Sequence, residues 1–204
     1  MYIGCVQSRL KVGKMRILGI DPGTAIIGYG MIECERGEVH CGNHHAFYGC
    51  ITTEKDRTAE RRLSDLYDGM TNLLRTYKPD VISIEKLFFA RNVTTALAVG
   101  EARGVILLSA EQAGVAVVGY TPMQMKQQMT GYGKAEKKQV KEMIKRILML
   151  EKEHVKTDDA WDAIGLALTH CYLTGLATRP EFIVDYKPEK KLKVKSEKLK
   201  VKAD

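Results

Sequence analysis

No stretch of the 204 residues is apolar for long enough to cross a membrane as a helix, which argues for a soluble protein. The opening segment, MYIGCVQSRLKVGK, has neither the apolar core nor the small-residue cleavage site of a secretory signal. Residues 1–14 are therefore expected to be a disordered extension, or an upstream start of translation before the clear pattern that begins at Met15. Cysteines are few and odd in number, five without regular spacing, which argues against a disulfide framework and for a reducing cytoplasm. No internal repeat is present. Charge of neither sign dominates: 32 basic against 25 acidic residues give +7, an excess that permits a polyanionic partner without proving one.

Much of that excess lies from Lys187 onward, where KPEKKLKVKSEKLKVKAD holds eight lysines and three acids. Residues 181–204 are expected to be a solvated, disordered basic tail. Between the two ends, residues 15–180 carry the patterns of one α/β domain. RILGI at 16–20 reads as a buried strand, and IIGYGMIEC from Ile26 as its hairpin partner across a Pro-Gly turn. A third strand is expected over residues 38–52. Apolar residues at Leu63, Leu66, Tyr67, Met70, Leu73 and Leu74 give a helix from Thr58 that Pro79 stops. VISIE at 81–85 is a central strand, a helix follows over 94–113, and VAVVGY gives a fifth strand. Helical patterns then fall at 122–129, 135–150 and 158–176. The expected fold is a mixed five-stranded sheet flanked by helices in one domain.

Two apolar strands end in an acid, Asp21 and Glu85. If the strands are neighbours, both carboxylates emerge at one edge, where open α/β sheets place their sites. The plainer uses are a turn-former beside Pro22-Gly23 and a solvent-facing strand end. A third segment, KTDDAWDAIGLALTH, opens a helix. Asp159 and Asp162 share a face there, and so do Asp158 and Asp162, so spacing alone does not choose between Asp158 and Asp159. Capping by Thr157 or Asp158 and the helix dipole supply a purely structural use for these acids. Yet acids brought together from three elements repel one another unless a cation sits among them. Hard Mg²⁺ prefers such oxygen ligands, and two ions about 4 Å apart would activate water and stabilise the leaving oxygen of a phosphodiester.

The segments ILGIDPGTAIIGYG, DVISIEKLFFARN, ALAVGEARGV, TPMQMKQQMTGYGKAEKKQV and DDAWDAIGLALTHCY together resemble the RuvC family of Holliday junction resolvases, in family order from Met15 to Tyr172. The resemblance implies a ribonuclease-H-like fold and a homodimer that cuts four-way DNA junctions symmetrically with Mg²⁺, or Mn²⁺ in its place. It also implies cooperation with a branch-migration complex of RuvA and RuvB. Asp21, Glu85, Asp159 and Asp162 match the family's metal-binding acids, which selects Asp159 and leaves Asp158 as a cap or supporting acid. Trp161 is bulkier than the small residue the family pattern calls for between that pair.

The same resemblance makes Phe88 the aromatic that stacks on bases opened at the junction, a mode that tolerates any base. Its plain alternative is a core phenylalanine. Among the basic residues of MKQQMTGYGKAEKKQVK, Lys126 and Lys134 are the expected DNA contacts, whereas some of Lys137, Lys138 and Lys141 are expected on a solvated helix face. The helix around Gly100 and Gly104 is the family's dimerisation element, with packing on the sheet as its other use. Cys34, Cys41, His44, His45 and Cys50 match no common zinc spacing and are expected to be incidental strand residues.

Two other functions remain open on sequence. GIDPGTAIIGYG is compatible with the phosphate loop of an actin-like ATPase or sugar kinase, although the chain has no room for the second lobe and second glycine loop of those proteins. A non-catalytic junction-binding module is the other, and for it four acids on a DNA-facing edge would be a liability.

Overall fold

A computed structural model describes residues 14–23, 25–35, 37–40, 47–86, 93–149 and 157–183. Strand β1 (Met15–Asp21) pairs antiparallel with β2 (Ile26–Glu35), so Ile17 lies opposite Ile32 and Asp21 opposite Gly28. On its other side β1 runs parallel to β5 (Val81–Glu85), which is parallel to β6 (Ala116–Tyr120). The outer edge of β2 is shared by β3 (Glu38–His40) and β4 (Phe47–Thr52), which pair with successive parts of it. The single strand expected over 38–52 is thus two short strands in one lane, so six strands occupy the five expected positions.

Each parallel crossover is a helix. α1 (Ala59–Tyr77) leads from β4 to β5, and α2 (Val93–Gln112) leads from β5 to β6. The Thr58 hydroxyl accepts the Arg61 amide and starts α1, and Lys78 in the left-handed region ends it just before Pro79. Beyond β6 come α3 (Pro122–Thr130), α4 (Lys137–Ile147) and α5 (Asp158–Leu173). Thr121 and Gln124 form a reciprocal capping box at the start of α3.

Strand alternation sorts the core into two layers. Leu18, Ile20, Ile27, Met31, Ile82 and Ile84 face α1 and α2. Ile17, Ile32, Cys34 and Val81 face the other way, into a cluster with α3, α4 and α5. Asp21 and Glu85 keep step with this second set, so both point to the face that α5 covers. The mixed sheet with helices on both faces is the ribonuclease-H-like arrangement the resemblance implies.

One expectation fails. The odd number and irregular spacing of the cysteines argue against disulfide cross-links, yet Cys34 and Cys171 are joined by a disulfide. Cys34 lies next to the end of β2 on the α5 side, Cys171 lies late in α5, and both are buried in one cluster. They stand 137 residues apart in the chain, so no spacing rule connects them. Cys50 is free, and its thiol lies 2.9 Å from the Thr157 hydroxyl. Cys41, His44 and His45 lie outside the described residues.

Candidate active site

Glycine decides how closely the acids of α5 approach the sheet. Gly19, Gly28 and Gly30 form a row on adjacent strands beneath α5, with Gly19 directly opposite Gly30. A methyl group on Gly19 would run into the Ala163 carbonyl, and one on Gly28 into the Asp159 carbonyl. One on Gly30 would meet the Ile164 side chain at 2.5 Å. Without side chains in this row, the helix lies directly on the two strands. Two further contacts fix it laterally. The buried Ser83 hydroxyl donates to the Leu166 carbonyl at 2.6 Å, and the Tyr120 hydroxyl lies 2.9 Å from Nδ1 of His170.

With the helix so seated, Asp159 and Asp162 arrive over the end of β1. Ile20 and Ile84 are partners in the parallel ladder, so the next residues, Asp21 and Glu85, leave adjacent strands at one edge. The Glu85 carbonyl accepts a 2.7 Å hydrogen bond from Arg103 of α2, which holds the strand end in place. Asp21, Glu85, Asp159 and Asp162 are half-buried, and Asp158 is exposed.

The electrostatics show how costly this gathering is. Burial pushes the Asp21 carboxyl up to about 8, with the charges of Glu85, Asp162 and Asp159 adding to the rise and Lys137 opposing it. Burial, then the Asp162 charge, raises Glu85, while a hydrogen bond with Asp21 pulls the other way. Burial also raises Asp162, against a hydrogen bond from Lys137. Like charges in a desolvated pocket favour holding protons or binding a cation.

Lys137, the first residue of α4, already supplies one cation. Its Nζ lies 2.7 Å from Asp162 and 3.9 Å from Asp158. Burial alone would lower its ammonium, but the Asp162 hydrogen bond and the charges of Asp162, Asp158 and Asp159 raise it instead. The solvated helix face expected for some of Lys137, Lys138 and Lys141 fits Lys137 in exposure, its side chain being 52% accessible, but its ammonium also reaches the acids. The available signal was its place on the first turn of a helix following a glycine-containing linker. Lys126 is half-buried on α3, and Lys134 is exposed in the α3–α4 connection. Phe88 lies outside the described residues. At the start of α5, Thr157 and not Asp158 is the cap residue, and Asp158 is the first helical residue, set toward Lys137.

The donor chemistry, oxygen alone and negatively charged in excess of Lys137, suits a hard divalent ion. Among the described residues no three His, Cys, Asp or Glu side chains stand closed into a ready metal cage. The contacts in place are instead the Asp21–Glu85 hydrogen bond and the Lys137–Asp162 pair.

The family model described as crossover junction endodeoxyribonuclease RuvC matches residues 17–170, which include all four acids and Lys137. The chain belongs to the RuvC family. A RuvC of Brevibacillus brevis is 54% identical over 156 residues, covering 76% of this chain and 91% of that protein. One from Fusobacterium nucleatum is 46% identical over 156 residues, covering 76% of this chain and 80% of the relative. Among solved structures, Thermus thermophilus RuvC in complex with a Holliday junction substrate matches with a TM-score of 0.72 and 31% identity, covering 79% of this chain and 96% of that one. The yeast mitochondrial Holliday junction resolvase Ydc2 shares the fold, at 18% identity and a TM-score of 0.57.

Proposed function

We propose that this RuvC-family chain is a metal-dependent endonuclease that resolves four-way DNA junctions by paired, symmetric phosphodiester cuts in recombination and repair. The observation that carries the reading is the convergence of acids from β1, β5 and α5 on one half-buried sheet edge, with Asp21 raised to about 8 by burial and by its neighbours. Asp21, Glu85, Asp159 and Asp162 would hold Mg²⁺, or Mn²⁺ in its place, in a two-ion site. Bound there, the ions would supply an activated water and stabilisation of the departing oxygen. The chain's own contribution is to hold the acids at fixed spacing, to keep the pocket partly dry, and to present the Lys137 ammonium beside Asp162, where a phosphate group arrives.

Lys126 and Lys134 would guide the backbone through sequence-independent phosphate contacts, and Phe88 would stack on an opened base. The nuclease domain would comprise residues 15–180, with the N-terminal extension and the basic tail outside it. Among the described residues no helix is long and apolar enough to cross a membrane, and the proposed workplace is the cytoplasm, with the RuvA and RuvB branch-migration complex as partner.

Two symmetric cuts call for two active sites, and α2 supplies a surface for pairing. Its Ala102, Ile106 and Ala110 are buried against the sheet side, while Leu97 and Leu108 are 69% and 53% exposed. Added methyl groups on Gly100 and Gly104 would meet nothing within 4 Å, so close approach by a second helix is sterically open. A two-fold enzyme matches a two-fold junction. Solution mass measurement is expected to give a dimer at micromolar protein; a monomer throughout that range would refute the pairing.

The decisive experiment compares cleavage of four-way, duplex and RNA–DNA hybrid substrates with Mg²⁺ and with chelator. Paired cuts in the four-way substrate alone, dependent on the metal, are expected. Binding without cutting would favour a junction-binding module, and preferential cutting of the hybrid would assign a different nuclease specificity.

A further inference from the structure

Trp161, the one tryptophan of the chain, lies between Asp159 and Asp162 where the family pattern calls for a small residue. It is 2% exposed and belongs to the core cluster that includes Val140 and Ile144 of α4. Two lysines of α4 lie over its ring, Lys141 Nζ at 5.5 Å and Lys145 Nζ at 5.8 Å from the centroid. Lys137, Lys141 and Lys145 recur every four residues, so they form one stripe along α4. On α5, Asp158, Trp161, Asp162 and Gly165 share the facing side by the same rule. An added methyl on Gly165 would lie 3.2 Å from Ile144 Cδ1, so the two helices are in close contact there.

We infer that Trp161 is a positioning residue for Lys137: its ring holds the lysine stripe of α4 in register with α5, and thereby seats the Lys137 ammonium against Asp162. An ammonium over an indole face is held by the ring quadrupole, more strongly as water is excluded. Lys141 and Lys145 therefore prefer the ring position, and their shared helix transmits that preference to Lys137. A slip of α4 by one residue would carry Lys137 about 1.5 Å along the axis and turn it about 100° around it, away from the Asp162 carboxylate it meets at 2.7 Å. The catalytic part of the inference rests on the reading of the acid cluster as the nuclease centre; the positional part does not.

The test separates the two. Lys137 labelling by acetic anhydride in metal-free protein, read by mass spectrometry against Lys138 on the same helix, reports seating without DNA or metal. Trp161→Leu is expected to raise the Lys137:Lys138 labelling ratio about threefold or more, and Trp161→Phe, which keeps an aromatic face, to restore most of the protection. In single-turnover junction cleavage with Mg²⁺, Trp161→Leu is expected to cost about tenfold, but less than about twofold in a Lys137→Met background, because the residue through which it acts is gone. An equal loss in both backgrounds, or an unchanged labelling ratio, would overturn the inference and leave Trp161 a packing residue. Should Trp161→Leu not fold, the Lys141→Met, Lys145→Met double variant removes both ammoniums from an intact ring and must raise the same ratio. If Lys137→Met cuts at the full rate while the ratio still rises, the seating stands and the catalytic reading of Lys137 is what fails.

Discussion

Asp21→Asn is expected to remove cleavage and, in metal-free protein, to raise thermal stability. The first effect follows from losing the charge that would hold a cation at the centre of the cluster; a loss on the order of a thousandfold is the scale for removing one group that stabilises developing charge. The second follows from the cost of gathering the acids. Asp21 is raised from 3.8 to about 8, so the folded chain binds this proton more tightly than the unfolded chain does. The stabilisation from that proton is complete below the unfolded value and is lost as pH rises through about 8. At neutral pH the wild-type fold carries a penalty that asparagine does not, of order a few kcal/mol. Each kcal/mol corresponds to roughly 2–4 °C in Tm for a protein of this size. Thermal melts in chelator across pH 5–8 check this: the wild type should lose stability relative to the variant as pH climbs. A variant less stable than wild type at neutral pH would show that burial and the neighbouring acids do not penalise the Asp21 carboxylate as described.

Asp159→Asn and Asp158→Asn are expected to separate sharply, although the residues are adjacent. Asp159 sits with its carbonyl over Gly28, and its charge is among those that raise Asp21. Asp158 is exposed and touches Lys137 only at 3.9 Å. Asp159→Asn should therefore nearly abolish cutting, again on the order of a thousandfold, while junction binding survives or tightens because an anionic neighbour of the DNA has gone. Asp158→Asn should change the rate by less than about threefold, since an exposed ion pair is worth roughly 0–1 kcal/mol. Cleavage rates and gel-shift affinities of the two variants are the measurements. A dead Asp158→Asn beside an active Asp159→Asn would put the metal-site register one residue away, and two active variants would remove α5 from the site altogether.

The parts of the site that were legible in the sequence are those set by local pattern. Asp21 and Glu85 announced themselves by ending apolar strands, and parallel pairing of β1 with β5 then places them side by side. Asp159 could not be told from Asp158 by helical spacing, and only the family motif chose between them. What stayed hidden depends on long-range packing. The glycines of GYG looked suited to a phosphate loop, whereas their position under α5 is visible only once the helix is docked. Lys137 is a surface residue as its sequence suggests, and its reach to Asp162 is visible only once α4 is placed against α5. The Cys34–Cys171 bond joins residues 137 apart, beyond any spacing argument. The division of the third strand is a smaller miss, because β3 and β4 pair with one edge of β2 as a single strand would.

The order of the acids along the chain has a consequence for synthesis. Asp21 and Glu85 are made early, but Asp159 and Asp162 belong to α5, the last α-helix of the described chain. α5 can dock only when its sixteen residues are free to lie on β1 and β2. Domains of this kind fold as units once their elements have emerged from the ribosome. A growing chain, or one cut short before α5, therefore carries half of the acidic cluster and none of the helix that closes it. On the proposed reading of the acid cluster as the cutting centre, nuclease activity therefore arrives only when the fold is nearly complete.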